Sequence, residues 1–255
     1  MIETYDVVII GGGVNGIATG IALIESKAGI KVVILEKESE IGLHASGRNS
    51  GVLHSGFYYS PKSLRATFCK QGNAELTHFC KVNGIPIQNT GKVVVCRHES
   101  ELIELTKLAN RGEENNIILE LLPASELMAI EPLAKTVGSF IYSPTTSISD
   151  PQLVIKKLLE KYLLIGGKIE YSQKVQVFFS NGEIAMDPQL KIEAKYIVNV
   201  AGVHSQKISQ KSGIGNEYGF IRFINARFRI NCRKSKTHIA QCQTNCRNTF
   251  RNLFT

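Results

Sequence analysis

The stretch Tyr5-Asp6-Val7-Val8-Ile9-Ile10-Gly11-Gly12-Gly13-Val14-Asn15-Gly16, an apolar helical run, and then Val32-Val33-Ile34-Leu35-Glu36 decide the fold. Val7 to Ile10 are short, apolar and β-branched, which predicts a buried strand. Gly11, Gly13 and Gly16 match G-x-G-x-x-G, and each has a physical role. Gly11 permits a tight turn, Gly13 lets backbone approach a pyrophosphate, and Gly16 lets the next helix pack close to the strand. That helix, about Val14 to Ser26, aims its unpaired N–H groups and positive dipole end at phosphates. Glu36 ends the second strand 20 positions after Gly16, where a carboxylate accepts from ribose hydroxyls and repels a 2′-phosphate. A glycine fingerprint alone is weak. Here a strand precedes it, a helix follows it and an acid stands at the right distance, which makes it a dinucleotide cradle.

The rest of the chain is built around this element. Its 255 residues suffice for one large or two small cores, and 43% hydrophobic with 20% charged residues is ordinary for a globular chain. No apolar stretch reaches about 18 residues, so no membrane span is expected. The N-terminus enters the first strand directly. It is read as lacking a signal peptide, and the chain as cytoplasmic, with peripheral contact to the inner face of a membrane as the variant.

The net charge of +8 is unevenly placed. Residues 220–255 hold eight Lys and Arg and no acid, while residues 1–219 balance 22 basic against 22 acidic residues. A nucleic-acid reading therefore cannot apply to the main body, and no specific nucleic-acid partner is expected. Of the six cysteines none form C-x-x-C. Cys242-x-x-x-Cys246, with Cys232 and His238, has only loose metal-like spacing, so no metal site is assigned.

Helices are expected over about 62–82, 99–115 and 152–165. For the first, Leu64, Phe68, Leu76, Phe79 and Cys80 would form the apolar face. For the third, Asp150 serves as N-cap and Pro151 as N1. Strands are expected at 85–88, 91–96, 138–142, 168–171 and 175–179. Asn181-Gly182 suggests a hairpin turn, and Tyr196 to Gly202 a second short buried strand. The result is an α/β fold with an α+β insertion. Residues 1–84 and 150–219 would form the nucleotide-binding domain, 85–149 an interrupting, partly antiparallel module, and 220–255 a disordered tail.

A second constellation follows Glu36: Gly42-Leu43-His44-Ala45-Ser46-Gly47-Arg48-Asn49-Ser50-Gly51-Val52-Leu53-His54-Ser55-Gly56-Phe57-Tyr58-Tyr59. Its glycines permit close backbone approach, Ser46 and Ser50 can donate to pyrophosphate oxygens, and Arg48 can offset phosphate charge. A plain NAD-binding dehydrogenase, the alternative reading, has no need of such a loop.

Together with the fingerprint and Glu36, the run from His44 to Tyr59 resembles FAD-dependent oxidoreductases of the D-amino-acid oxidase superfamily, and within it L-2-hydroxyglutarate oxidases and dehydrogenases. Pro61, Ser63-Leu64, Phe68-Cys69, Gly91-Lys92, Glu131-Pro132, Asp150, Gly166-Gly167, Ala201-Gly202 and Ser205 agree with it. Arg48 departs from the histidine common there. The resemblance implies a Rossmann-like FAD-binding domain, with FAD as cofactor. Gly11, Gly13 and Gly16 would hold the pyrophosphate, and Glu36 the adenosine ribose. Ser46, Arg48, Asn49 and Ser50 would line the cofactor's middle, the backbone of Val175 would meet adenine, and Ala201-Gly202 would form the second crossing. His54 would lie near the flavin ring as base or substrate ligand. The implied reaction oxidises a 2-hydroxy acid to a 2-oxo acid by hydride transfer to flavin, with oxygen or a quinone as electron acceptor. Other superfamily substrates (an amino acid or glycerol 3-phosphate) and a non-enzymatic fragment with a basic tail are the alternatives.

The likeness stops near residue 220. There Arg222-Phe223-Ile224-Asn225 replaces the expected Pro-Phe-Arg/Lys-Gly step. The expectation is a C-terminally truncated remnant whose tail, from about residue 222, arises from a frameshift or a disrupted gene, with weak FAD retention and little or no turnover.

Overall fold

The computed structural model describes residues 3–178, 183–187 and 192–213. In chain order the elements are β1 (Glu3–Ile10), α1 (Val14–Ser26), β2 (Val32–Leu35), β3 (Val52–Leu53), α2 (Leu64–Val82), β4 (Ile87–Gln88) and β5 (Lys92–Val95). Then come α3 (Leu102–Glu114), β6 (Glu120–Pro123), α4 (Leu127–Ile130), β7 (Ser139–Ser143), β8 (Ser147–Ser149) and α5 (Pro151–Leu164). The last are β9 (Lys168–Glu170), β10 (Lys174–Phe178), β11 (Glu183–Asp187), β12 (Ile192–Asn199) and α6 (Ser205–Lys211). The expected turn at Asn181-Gly182, the Cys232–Cys246 segment and the tail from 220 lie outside the described residues.

The described residues divide into two compact units, one made of the chain up to Ser50 and from Asp150 onward, the other of Gly51–Ser149. The sequence predicts a boundary at residue 84; in the structure α2 belongs to the second unit.

The first unit is built on a six-stranded sheet of order β10-β11-β12-β1-β2-β9. β12, β1, β2 and β9 run parallel, and β10-β11-β12 is an antiparallel meander. Because side chains alternate along a strand, the unbroken apolar run of β1 feeds two cores at once. Val8 and Ile10 pack on one face with Val33, Leu35, Val175 and Ile208 of α6. Val7 and Ile9 pack on the other with Ile17 and Ile21 of α1 and Ile155 and Tyr162 of α5. Asp150 caps α5 by accepting from the N–H groups of Gln152 (2.7 Å) and Leu153 (3.3 Å), with Pro151 at the first helical position. β12 begins earlier than the sequence suggests and is not wholly buried: Tyr196 is 70% exposed.

The second unit holds two antiparallel three-stranded sheets, β5-β7-β6 and β3-β8-β4. α3 covers the first of them through Leu105 against Ile141 and Cys96. α2 begins at Ser63, whose hydroxyl accepts from Ala66 N–H at 3.2 Å. Its expected apolar face is only partly realised, since Leu64 and Phe68 are exposed while Ala66 and Cys80 are buried.

Candidate cofactor and substrate sites

The turn from β1 into α1 is fastened to the end of β2 by Gly11 N–H, which donates to Leu35 O at 2.9 Å. Gly11 has φ +110°, a conformation that disfavours any other residue. A Cβ there would sit 2.8 Å from Val200 O and 2.9 Å from Ala201 Cα. A Cβ on Gly16 would collide with the Gly11 carbonyl oxygen. Both glycines are therefore required by close approach, as their place in the fingerprint suggested. Gly13 is the residue before the first turn of α1 and makes no side-chain cap, so the helix N-terminus faces out as an anion-binding end.

Glu36 is buried, with 9% exposure, and fixed by backbone. One carboxylate oxygen accepts Gly12 N–H at 2.8 Å and the other accepts Glu38 N–H at 3.0 Å. Its own N–H donates to Glu170 O at 2.9 Å. A carboxylate offers about four lone-pair sites, so two remain for ribose hydroxyls. Gly12 is a site residue that the sequence reasoning passed over, because the fingerprint leaves its position open; the run of three glycines was the available signal.

The second crossing comes to the same place. Val200 N–H donates to Ile10 O at 3.0 Å, and Ala201 abuts Gly11. Gly202 opens a 3-10 turn, Gly202–His204, into α6, which Asn199 braces through Ser205 O (2.9 Å) and Ser209 Oγ (3.0 Å). Ser46 Oγ accepts Val14 N–H at 3.0 Å, so this hydroxyl stands at the start of α1 with its own proton available to an anion. Asn49 Nδ2 donates to Ala45 O (3.2 Å) and Ser46 O (3.0 Å) and so braces that loop, while Arg48 and Ser50 are exposed. Gln152 holds the loop from beneath, donating to Gly42 O at 3.0 Å. The Val175 side chain is buried in the core, which leaves only its backbone for contact. The ladder between β10 and β11 shifts register between Val175 and Val177. Gly11, Gly13, Gly16, Glu36, Ser46, Ala201 and Gly202 thus converge, and Asn49 supports them.

Beside this cradle lies a charged surface group. Glu38 pairs with Lys37 and with His44 Nε2 (2.8 Å), and these hydrogen bonds, the Lys37 one foremost, pull its carboxyl down to about 2. The His44 and His204 rings meet edge-on at 6.4 Å. Partial burial, then the charges of Lys37, His44, Lys207 and Lys174, lower the His204 pKa.

His54 belongs to the second unit and follows β3. Its carbonyl accepts from Asn73 Nδ2 (3.2 Å) and Cys69 Sγ (3.4 Å) of α2. Partial desolvation, and next the charge of Lys92, hold its imidazole pKa below the usual histidine value. Lys92 itself, at 8% exposure, lies with its ammonium 4.5 Å from the Tyr58 ring centre and 6.0 Å from that of Phe57.

Among the described residues no group of three or more His, Cys, Asp or Glu is arranged to hold a metal ion, and no helix is long and apolar enough to cross a membrane. The cradle suits a dinucleotide by its own geometry: a helix N-terminus behind close-packed glycines, a backbone-anchored carboxylate and a hydroxyl at the phosphate end.

Comparison with known proteins agrees. A family model described as FAD-dependent oxidoreductase (DAO) matches residues 6–224. A protein of Indibacter alkaliphilus named L-2-hydroxyglutarate dehydrogenase is 38% identical over 81% of this chain and 52% of its own length. The Caenorhabditis elegans mitochondrial L-2-hydroxyglutarate dehydrogenase is 33% identical over 86% of this chain and 52% of its own. The chain spans about half the length of the curated relatives it matches. Among solved structures, the L-α-glycerophosphate oxidase of Mycoplasma pneumoniae with FAD bound superposes with a TM-score of 0.74 at 26% identity, covering 83% of this chain and 58% of that one. Glycine oxidase from Geobacillus kaustophilus shares the fold, with a TM-score of 0.74 at 21% identity over 83% of this chain and 59% of that one. The fingerprint, the parallel sheet and the family match lead to one conclusion: the chain belongs to the DAO family of FAD-dependent oxidoreductases, and FAD is its cofactor.

Proposed function

We propose that this chain serves the oxidation of a 2-hydroxy acid of the L-2-hydroxyglutarate type to the corresponding 2-oxo acid. The observation that carries the reading is the identity of 33–38% with proteins named L-2-hydroxyglutarate dehydrogenase over more than four-fifths of the chain. The geometry supports it. Gly11, Gly13, Gly16 and Ser46 would hold the FAD pyrophosphate, Glu36 the ribose, the Val175 backbone the adenine, and Ala201-Gly202 the second crossing. Arg48, Asn49 and Ser50 would face the middle of the cofactor. When bound, FAD would supply the hydride acceptor, with oxygen or a quinone as the final taker of the electron pair.

His54 supplies the base. Desolvation and Lys92 lower its pKa, so at neutral pH the ring is uncharged and can take the substrate's hydroxyl proton on a ring nitrogen. With that proton held by His54, the α-hydrogen would be given up as hydride to the cofactor and the alcohol carbon would become a carbonyl, so that protons and electrons balance.

Adding L-2-hydroxyglutarate anaerobically to the FAD-loaded chain should bleach the flavin's long-wavelength band. The D-enantiomer, glycine and glycerol 3-phosphate should leave it. Bleaching by glycine or glycerol 3-phosphate and not by L-2-hydroxyglutarate would replace this substrate with another of the superfamily.

A further inference from the structure

Two histidines of the first unit meet beside the cradle, and the proposed oxidation uses neither. His44 lies in the loop after β2, two residues before Ser46, and its carbonyl accepts Gly47 N–H at 3.1 Å. His204 closes the turn after β12, where its N–H donates to Ala201 O at 3.1 Å. β12 and β2 pair with β1 from its two sides. Each loop is also anchored on the glycine turn that ends β1. Ala201 abuts Gly11, and Ser46 Oγ stands 3.0 Å from the place of a Cβ on Gly13. The two rings nevertheless meet, edge to face, with centres 6.4 Å apart. Loops that leave the strands on either side of β1 and touch each other bridge its carboxyl end. That end is where a parallel α/β sheet takes its ligand.

The surroundings of His204 are cationic. Lys37 and His44 face it from the loop after β2, Lys174 from β10 and Lys207 from α6. The carboxylate beside them, Glu38, is already engaged by Lys37 and, at 2.8 Å, by His44 Nε2. Partial burial and then the neighbouring charges hold the His204 pKa below the ordinary 6.5. An anion reaching the crevice reverses that field and favours the charged ring. A dinucleotide's pyrophosphate is such an anion, and as a diester it does not titrate near neutral pH. Both His204 and Val203 are exposed, so a ligand meets the ring without disturbing the core.

We propose that His204, held edge-on by His44, is a further cofactor-binding residue that takes a phosphate oxygen of the FAD pyrophosphate, and that it binds in its protonated form. The inference rests on the cradle of the preceding reading and takes nothing from the substrate. Binding draws a proton from solvent onto the His204 ring, and no electrons move. Affinity therefore rises as pH falls through the His204 pKa of the complex and levels off below that of the free chain.

The test is calorimetric titration of the purified full chain with ADP-ribose, which carries the pyrophosphate without the flavin, in two buffers of different ionisation heat. Wild type should take up a fraction of a proton on binding at about pH 6.5, and bind about threefold or more tightly at about pH 6 than at about pH 8. His204→Gln, a change at an exposed position, should take up none and lose that pH dependence. His204→Lys, charged throughout, should also take up none and should keep the tighter binding at about pH 8. A histidine that merely packs on His44 would leave proton uptake unaltered when replaced. Wild-type affinity that ignores pH, or uptake that survives His204→Gln, would overturn the contact. Two outcomes keep the readings apart. Binding that Glu36→Ala weakens, with no proton uptake in wild type, removes the His204 contact and leaves the cradle. Failure of ADP-ribose to bind at either pH removes both.

Discussion

The Glu36 carboxylate accepts the Gly12 N–H at 2.8 Å across 24 residues of sequence, tying the end of β2 to the glycine turn. In the proposed reading, the carboxylate that would accept from ribose is thereby positioned by the same backbone that would approach the pyrophosphate. Glu36→Ala removes the ribose acceptor and also strands the buried Gly12 N–H. It should weaken FAD binding by about tenfold or more and cost about 1–3 kcal/mol of stability. Glu36→Gln keeps an oxygen for one N–H and should lose less of both. Fluorescence titration with FAD and thermal melting check the pair.

Gly16 faces the Gly11 carbonyl with no room for a side chain. Gly16→Ala must push α1 off the turn and should destabilise the first unit by about 3 kcal/mol or more, a size reserved for overpacking in a core. Denaturant unfolding would show it. Gly29 has open space around it, and Gly29→Asn, which tolerates its φ of +76°, should change stability by only a few tenths of a kcal/mol.

Tyr162 is fully buried on α5, and its hydroxyl donates toward Val32 O (3.2 Å) and Lys168 O (2.9 Å). It joins the helix to β2 and β9. Tyr162→Phe keeps the ring packing and removes the one hydroxyl proton that the two carbonyls share, so it should cost about 1–2 kcal/mol. Tyr162→Ala should cost about 3–5 kcal/mol, since the ring's cavity is added.

His54 carries the pH dependence. Its folded pKa lies below the ordinary 6.5, from desolvation first and Lys92 second. The fold favours the neutral ring, so this stabilising contribution is complete above about pH 6.5 and is lost as pH falls through the folded value. The same neutral ring takes the proton in the proposed reaction, which puts the acid limb of the rate profile below pH 6.5. Lys92→Met should move that limb upward toward 6.5, and His54→Ala should abolish it with a loss of about 100-fold or more in rate. A limb unmoved by either change would remove His54 as the base.

Much of this was readable because the signals were local. α1 spans Val14–Ser26 as expected, since glycines mark its start and an apolar face its body. α5 is announced by Asp150-Pro151, and Glu36 by its spacing from Gly16. Other elements left weaker marks. β3 and β8 have two and three residues, too few for alternation to show. β6 is largely exposed, with Leu121 48% accessible, so it lacks the buried face that period-2 patterning reports. β12 carries Glu193 and Lys195 within its length, which disguised its first half as loop. Leu64 and Phe68 sit at helical spacing and yet are exposed, because α2 buries Ala66 and Cys80 instead. Lys92 in a valine run looks like a solvated strand end; only the ladder opposite Ser143 shows it turned inward.

The most direct measurement is a titration of FAD into the purified apo chain, followed by flavin fluorescence, with ADP-ribose and NAD as competitors. A single saturable site per chain, displaced by ADP-ribose, displaced no better by NAD, and weakened at least about tenfold in Glu36→Ala, is the expected result. Failure of FAD to saturate, or binding that Glu36→Ala leaves unchanged, would contradict the assignment of residues 11–36 as the cofactor's cradle.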